Sequence, residues 1–221
     1  MNLAYRLASG QDSGAKRLPG SLHVNRRLSQ WLRLRSDGVV EVFSGKVEIG
    51  QGITTALAQI VAEELDVALA RIRMVPASTA YSPDEAVTSG SLSIQESGTA
   101  LRYACAEARS IYVAAAAARL GVGAETLRVE DGEIIAASGA RASYWQFADD
   151  ALLEREASGE VAPKPAAEQS AARTSAPRLD LPDKIFGKPR FIQDLELPGM
   201  LHGRVLRPAS PFARLEKLDA S

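Results

Sequence analysis

The alternation of apolar and polar positions predicts a β-hairpin near the start of the chain. Residues 31–35 and 39–43 alternate as expected for two strands that each bury one face. Ser36, Asp37 and Gly38 separate the two runs, and an Asp-Gly pair favours the positive φ angles of a tight hairpin turn. Further strands are expected to follow in the sequence.

A helix is predicted directly after this hairpin, over residues 54–65. Its apolar stripe packs on a sheet and consists of Leu57, Ile60, Val61 and Leu65. Glu63 and Glu64 are expected to face largely outward. Residues 71–75 then alternate charged and apolar side chains before Pro76, which predicts the next strand.

The middle of the chain predicts a second, longer helix from about Gln95 to Leu120. Residues 127–130 and 133–135 form another hairpin candidate around Asp131-Gly132. Residues 143–153 have a helical pattern with Ser143 as the N-cap.

The composition changes at about residue 154. Residues 154–177 consist mainly of Ala, Glu, Ser, Pro and Lys without an apolar period, which predicts an extended linker. Beyond it, Phe191 and Ile192 are expected to begin a strand and residues 200–206 to form another. Pro198-Gly199 supplies a turn between them.

Composition places the chain among globular proteins. It has 221 residues, of which 46% are hydrophobic and 24% charged, enough to bury a sizeable core. A net charge of −1 provides no field that would gather nucleic acid or an anionic membrane, so neither is expected as a partner.

Single residues with reactive side chains favour structural roles. Cys105 is the only cysteine, which excludes an intramolecular disulfide and a complete iron–sulfur cluster within the chain; its alanine-rich surroundings predict a small buried hydrophobe. His23 and His202 lie far apart in sequence, so no metal site held by side chains is expected. Trp31 and Trp145 are predicted to be core or interface residues.

Targeting signals are not evident in the first twenty residues. They contain no apolar run of signal-peptide length, and the alanine run at 114–118 is far too short to span a membrane. A cytoplasmic location is expected, although export together with a partner subunit would also fit.

The candidate chemistry begins at residues 45–52, written GKVEIGQG, which lie between a predicted strand and a predicted helix. Glycines let backbone N–H groups approach a ligand closely, and the start of a helix favours negative charge. Gln51, placed between Gly50 and Gly52, would present its amide to such a ligand.

A second loop with small hydroxyl side chains comes about forty residues later, just before the long helix. Its candidate ligand-binding residues are Thr88, Ser89, Gly90, Ser91 and Ser93. Two donor-rich loops that each open a helix predict one large polar ligand between them.

Plainer interpretations exist for each of these residues. Gln51 could be an ordinary polar turn residue, and the hydroxyls of the second loop could cap the helix that follows. Glu48 is a tempting general base, but stabilising the turn is the commoner role for such a carboxylate. Glu96 is explained by the helix dipole.

Together, GKVEIGQGITTALAQIVAEELDV and TSGSLSIQESGTALRYACAEAR resemble the molybdopterin-binding subunit of the xanthine dehydrogenase and aldehyde oxidase family. The sequences of the two motifs most resemble the nicotinate dehydrogenase and isoquinoline oxidoreductase types of this family. The resemblance covers most of residues 21–221 and implies an N-terminal portion of such a subunit.

The fold implied is α+β: a mixed sheet with two packed helices, followed by the start of a hammerhead-like domain. The expected domains are an N-terminal arm (1–20), a partial molybdopterin-binding domain (21–153), a linker (154–179) and the beginning of the hammerhead-like domain (180–221). In xanthine dehydrogenases the hammerhead precedes the GQG loop, whereas here it follows. This order resembles that of the isoquinoline oxidoreductase type.

The function implied is hydroxylation of an N-heteroaromatic compound or an aldehyde, with water as the oxygen source. The cofactor implied is molybdenum-molybdopterin, in bacteria usually its cytosine dinucleotide form, and electrons would pass to iron–sulfur clusters on a partner subunit. By motif position, Gln51 would bond the pterin, with Gly50 and Gly52 allowing close approach. Thr88, Ser89, Gly90, Ser91 and Ser93 would hold the pterin and pyrophosphate.

The resemblance also implies that no catalytic residue and no metal ligand lies in this chain. The family's general base is a glutamate in a segment without a counterpart here, so the isolated chain is expected to be inactive and to need the remaining pterin-binding segments.

Two other functions stay open. One is a non-catalytic structural or assembly fragment of such a complex. The other is a small nucleotide-binding α/β module, against which stands the lack of a GxGxxG or Walker-type pattern.

Overall fold

The computed structural model describes residues 16–171, 174–189 and 191–219, so most of the predicted arm (1–20) lies outside the described residues. These residues divide into two compact units, one ending at Leu181 and the other beginning at Pro182. Most of the regular structure belongs to the first unit. The domain boundaries expected from the sequence stay a prediction.

The first sheet is mixed, as predicted. Its strands are β1 (Leu32–Leu34), β2 (Val40–Val42) and β3 (Ile72–Met74), in the order β1-β2-β3. β1 and β2 are antiparallel with Arg33 opposite Glu41, and β2 and β3 are parallel. A parallel pair needs a crossover connection, and helix α1 (Ile53–Leu65) provides it.

A second, antiparallel sheet follows the long helix. It consists of β4 (Leu127–Glu130), β5 (Glu133–Ala136) and β6 (Arg141–Ser143), in sequence order. The sequence predicted the β4–β5 hairpin but missed β6. Arg71, next to β3, forms a bidentate ion pair with Asp131 in the turn between β4 and β5, and both nitrogen–oxygen distances are 2.8 Å. This ion pair joins the two sheets.

Helices α1 and α2 (Thr99–Leu120) pack against each other; α1 also contacts β3 of the first sheet, and α2 contacts β6 of the second. Cys105 lies fully buried between them, as predicted, and burial raises the pKa of its thiol well above the usual range. Trp31 is also buried and donates to the carbonyl of Asn25 at 2.8 Å. Other members of this core are Leu22, Leu28, Val40, Val42, Leu57, Val61, Leu65, Leu101, Ile134 and Tyr144.

The expectation that Glu63 and Glu64 face solvent is wrong. Both are buried, because the chain around Lys164 covers that side of α1. The backbone N–H of Lys164 donates to Glu64 at 3.0 Å, and Arg102 of α2 donates to the same carboxylate at 3.1 Å. Both faces of α1 are therefore covered.

The predicted helix over 143–153 is also wrong. Only one 3₁₀ turn forms, Tyr144–Phe147, opened by Ser143, whose N–H donates to Gln146 Oε1 at 3.3 Å. Ala151 has a φ of 50°, in the left-handed region that interrupts a right-handed helix.

The segment predicted as a linker, 154–179, contains a 3₁₀ turn at Ala166–Glu168. The N–H of Ala157 donates to the Arg26 carbonyl at 2.7 Å. Near its end, the N–H of Leu179 donates to Thr55 Oγ1 of α1 at 3.0 Å. The segment is thus held along the first unit by backbone hydrogen bonds.

The second unit contains the end of helix α3 (Leu181–Ile185) and a 3₁₀ turn at Ile192–Asp194. The strands predicted to begin at Phe191 and over 200–206 do not form in the described part of this unit. A strand needs a neighbour for its backbone groups, and apolar side chains here face solvent, with Leu201 93% and Leu206 91% exposed. The hammerhead-like assignment stays a prediction.

Candidate functional site

The first loop of the candidate site, residues 44–52, connects β2 to α1. Gly50 and Gly52 have φ angles of 106° and 83°, which a residue with a Cβ adopts only under strain. Gly52 is the N-cap of α1, in a left-handed conformation. The sequence pattern therefore marks a turn that needs glycine at both positions.

Glu48 stabilises this turn, as the sequence predicted. Its carboxylate accepts the backbone N–H groups of Gly50 at 2.8 Å, Gly52 at 2.9 Å and Thr54 at 3.2 Å. Burial raises the pKa of this carboxyl, but the bonds from Gly52, Thr54 and Gly50 outweigh burial, so the pKa lies below its ordinary value. The start of α1 thus already holds an anion of the chain itself.

The Gln51 amide is engaged with its own loop. Its oxygen accepts the N–H of Ile49 at 2.7 Å, and its nitrogen donates to the Val47 carbonyl at 2.9 Å. A side-chain amide has two N–H bonds, so one donor of the exposed Gln51 remains for another molecule. The expectation that Gln51 presents its whole amide outward is therefore reduced to this single N–H group.

The second loop, residues 87–93, differs from the first because several of its hydrogen-bond donors are not paired within the described chain. The backbone N–H groups of Ser89, Gly90 and Ser91 find no acceptor in the part of the chain that the structure describes. The hydroxyls of Ser89, Ser91 and Ser93 likewise make no hydrogen bond to any described residue, so they do not cap the helix. Gly90 and Ser91 have φ angles of 64° and 57°, and successive N–H groups in such a turn form a concave donor set.

The structure brings the two loops side by side. The backbone N–H of Val47 in the first loop donates to Thr88 Oγ1 in the second at 2.9 Å. Gly50, Gln51 and Gly52 therefore lie on a loop that is hydrogen-bonded to the loop carrying the other five candidates, Thr88, Ser89, Gly90, Ser91 and Ser93. That all eight contact one ligand stays a prediction.

Glu85 is a residue that the sequence analysis missed. This buried carboxylate precedes the second loop and accepts the N–H of Gly45 at 2.8 Å and the hydroxyl of Ser44 at 3.0 Å, both in the first loop. It also accepts the hydroxyls of Ser97, at 3.0 Å, and Ser21. One side chain thus satisfies four donors from three parts of the chain.

Lys46 was missed as well and makes the reverse connection. From the first loop, its buried ammonium donates to the Glu85 carbonyl at 2.7 Å and to the Val87 carbonyl at 3.3 Å. It also pairs with Glu96 at 2.6 Å. Glu96 therefore has a specific partner in addition to its place at the start of the helix.

Arg178, from the segment predicted as a linker, reaches the first loop from the other side. Its guanidinium donates to the Gly50 carbonyl at 3.0 Å and lies 3.3 Å from the Glu48 carboxylate. Asp180 holds the same guanidinium at 3.0 and 2.8 Å. The first loop is consequently held by Arg178 as well as by Glu85 and Thr88.

One other charged region of the described residues has its cations paired. A cavity of about 570 Å³ lies near the far end of α1, lined by Arg109, Lys164 and Asp66 among others. Its cations are paired, since Arg109 lies 3.2 Å from Asp66 and Lys164 bonds the same carboxylate. Charges that neutralise one another in this way leave little to attract a ligand.

No group of three or more His, Cys, Asp or Glu side chains suited to a metal ion occurs within residues 16–171, 174–189 and 191–219. Within those same ranges, no helix combines the length and apolar character needed to cross a membrane.

The chain is similar to several known proteins. Residues 12–177 match the family model described as a molybdopterin cofactor-binding domain. A nicotinate dehydrogenase subunit of Pseudomonas putida is 39% identical over 188 residues, which cover 85% of this chain and 16% of that protein. The beta subunit of isoquinoline 1-oxidoreductase from Brevundimonas diminuta is 31% identical over 221 residues, which cover 79% of this chain and 28% of that protein.

Among solved structures, quinoline 2-oxidoreductase from Pseudomonas putida 86 aligns with a TM-score of 0.44 and 25% identity, over 54% of this chain and 15% of that one. The chain spans less than a third of the length of the two curated relatives, with shares of 16% and 28%.

Proposed function

The chain belongs to the family of molybdopterin cofactor-binding domains, and on that basis we propose that its two loops hold the pterin cofactor of a molybdenum hydroxylase. The observation that carries the proposal is the set of N–H and hydroxyl groups at Ser89, Gly90 and Ser91 that have no partner among the described residues and lie beside a glycine loop. A pterin and its phosphates are rich in hydrogen-bond acceptors, which such donors fit.

The two loops contribute differently to this binding. The second loop supplies most donors, from the backbone at 89–91 and from the hydroxyls of Ser89, Ser91 and Ser93. The first loop supplies the remaining N–H of Gln51. Gly50 leaves room for close approach, since no atom lies within 4 Å of where its Cβ would be, whereas at Gly52 the Arg178 side chain lies 3.8 Å from that position. Thr88 holds the loops together through Val47.

The cofactor, when bound, would supply the redox chemistry that hydroxylates a carbon with oxygen from water. The chain's own part is to bind and orient that cofactor, and none of its described residues is proposed as the general base. By analogy with the relatives named for nicotinate and isoquinoline, the proposed substrates are N-heteroaromatic compounds, with aldehydes as a second class.

The partners and the form of the cofactor are also proposals that rest on family membership. We propose the cytosine dinucleotide form, an iron–sulfur subunit that receives the electrons, and further pterin-binding segments that complete the site. A cytoplasmic location is proposed with them. The chain alone is expected to be inactive.

A second function, as an assembly element, is favoured by the second unit. Its apolar side chains are unusually exposed, including Phe186 at 81%, Ile192 at 87% and Phe212 at 91%. Exposed apolar side chains in such number are typical of surfaces that another segment covers.

The test is to co-express the full chain with its genomic neighbours and to measure molybdenum and CMP released by acid from the purified complex. The proposal expects both in equal amounts. A double variant, Ser89→Ala with Ser91→Ala, should lower both, whereas Ser138→Ala with Ser158→Ala, outside the two loops, should lower neither. Assembled but molybdenum-free complex would contradict the proposal and favour the assembly function, and a stoichiometric adenine nucleotide would favour a nucleotide-binding module.

A further inference from the structure

We propose that Glu85 and Lys46 are positioning residues that fix the second loop against the first before any ligand binds. Lys46 lies in the first loop and donates to backbone carbonyls at and before the start of the second. Glu85 precedes the second loop and accepts a backbone N–H of the first. We call this reciprocal pair the clasp. Its effect on cofactor occupancy rests on the function proposed above, whereas the coupling of the two loops does not.

The Glu85 half of the clasp is built around one buried carboxylate. Glu85 is 6% exposed and accepts from Ser44 and Gly45 of the first loop as well as from Ser97, which precedes α2. Hydrogen bonds to an ionised acceptor are roughly twice as strong as neutral ones. Removing the carboxylate would leave several buried donors without an acceptor at once.

The Lys46 half runs in the opposite direction. The Lys46 side chain is only 2% exposed, and its ammonium donates to the carbonyls of Glu85 and Val87. Burying an ammonium is unfavourable unless carbonyls and carboxylates surround it, so this position tolerates few alternatives. The Glu96 carboxylate, 2.6 Å away, completes that environment.

The clasp sets the position of the free donors. Val87 and Thr88 are held directly, by Lys46 and by the N–H of Val47. The N–H groups of Ser89, Gly90 and Ser91, which have no acceptor in the described part of the chain, follow within three residues. Donors held in place before binding lose less conformational entropy when a ligand arrives. A loosened clasp should therefore weaken binding although every donor is still present.

The experiment measures amide hydrogen exchange by NMR in the full chain. The reporters are the N–H groups of Gly45 and Val47, and amides in the centre of α2 monitor the core. In Glu85→Ala and in Lys46→Met, the reporters should exchange at least about tenfold faster, while the α2 amides change much less. Glu85→Gln, which keeps one acceptor oxygen, should lie between them and the unsubstituted chain.

Two matched controls come from the same chain. Glu107→Ala removes another buried glutamate, which accepts the N–H groups of Ser158 at 2.8 Å and Gly159 at 3.2 Å. Lys164→Met removes another buried lysine, which donates to the Glu63 carbonyl at 2.6 Å. In both controls, the exchange rates of the Gly45 and Val47 amides should change no more than those of the α2 amides.

Molybdenum content of the co-expressed complex is the second measurement. The proposal expects a loss of at least about tenfold in Lys46→Met and no loss in Lys164→Met. If reporters loosen but even the unsubstituted complex lacks molybdenum, the coupling stands and the proposed function fails.

Reporters that exchange no faster in Glu85→Ala and Lys46→Met than in the two controls would overturn the proposal. Loosened loops with full molybdenum occupancy would overturn the positioning role. If Glu85→Ala does not fold, the test uses Glu85→Gln and Lys46→Met instead. Unchanged exchange rates of the Gly45 and Val47 amides in both variants would refute the proposal.

Discussion

The two loops of the candidate site are neighbours of opposite design. The first loop, at 44–52, has its polar groups paired, and those near its glycines are paired within the loop and the start of α1: Glu48 takes three backbone N–H groups, and Gln51 bonds its own loop at both ends of the amide. The second loop, at 87–93, leaves the N–H groups of Ser89, Gly90 and Ser91 free of described partners. The conspicuous glycine motif is the rigid part, and the plainer serine loop is the open part.

This difference shows how a binding site can divide its tasks. A loop whose donors are already paired keeps its shape and provides space, whereas a loop with free donors provides affinity. A ligand anion placed at the start of α1 would have to compete with the Glu48 carboxylate, so the second loop is the better place for phosphates.

The largest effect is expected at the contact between the loops. In Gly45→Ala, the new Cβ would overlap the backbone carbonyl of Pro83 and approach the Glu85 side chain at 3.1 Å, and neither neighbour can move easily. The free energy of unfolding should fall by about 3 kcal/mol, as for other overpacked positions. Urea unfolding measures this.

Gly123→Ala is the control for that substitution. Its Cβ would meet only the carboxylate end of Glu125, a flexible side chain that can turn away. The free energy of unfolding should change by less than about 0.5 kcal/mol. Equal effects of the two substitutions would mean that the loops are not tightly apposed.

The next effect concerns the internal pairing of the first loop. Glu48→Ala removes the acceptor for three N–H groups at the start of α1 and should destabilise the protein by about 1–2 kcal/mol, like the loss of a helix N-cap. Glu168→Ala, at an exposed carboxylate, serves as the control in thermal unfolding. A Glu48→Ala variant as stable as that control would show that the first loop does not depend on its own pairing.

A smaller effect is expected from acid. The pKa of Glu48 is lower in the folded chain than its ordinary value of 4.5, so its stabilising contribution is complete above that value and is lost as the pH falls through the folded pKa. The stability difference between the unsubstituted chain and Glu48→Gln should be constant above about pH 5 and shrink below about pH 4. A difference that stays constant down to pH 3 would contradict the role of the ionised carboxylate.

The smallest effect on stability is expected in the second loop. Ser89→Ala and Ser91→Ala remove hydroxyls without described partners and should change the unfolding free energy by less than about 0.5 kcal/mol, while the molybdenum content of the complex falls severalfold. Ser97→Ala, which removes a buried hydroxyl bonded to Glu85, should cost about 1–3 kcal/mol. Similar losses of stability at Ser89 and Ser97 would erase the contrast between free and paired groups.

The sequence predicted the parts of the fold that depend on local patterns. The first hairpin, the helix over 54–65 and the long helix up to Leu120 follow from apolar periodicity and glycine turns, and the mixed sheet follows from the family resemblance. The eight candidate residues were found through motif resemblance, and their two loops are in contact.

Contacts that join distant parts of the chain were not predictable in the same way. Glu85 and Lys46 have no distinctive spacing, because a glutamate and a lysine in a loop are ordinarily solvated. Glu63 and Glu64 were expected to face outward because nothing in their helix announces that the chain near Lys164 covers them. The strands expected at 191–206 failed for a related reason, since a strand needs a partner that periodicity does not supply.

The π-helical turn at Ile94–Gly98, directly before α2, has a consequence for how this region tolerates insertions and deletions. Such a turn holds one residue more than an α-helical turn, and each residue of an α-helix advances by about 100° around its axis. Deleting a single residue there would restore α-helical geometry but rotate Ser97 away from Glu85, or Glu96 away from Lys46, by about that angle. Chain length in these five residues is therefore as constrained as side-chain identity.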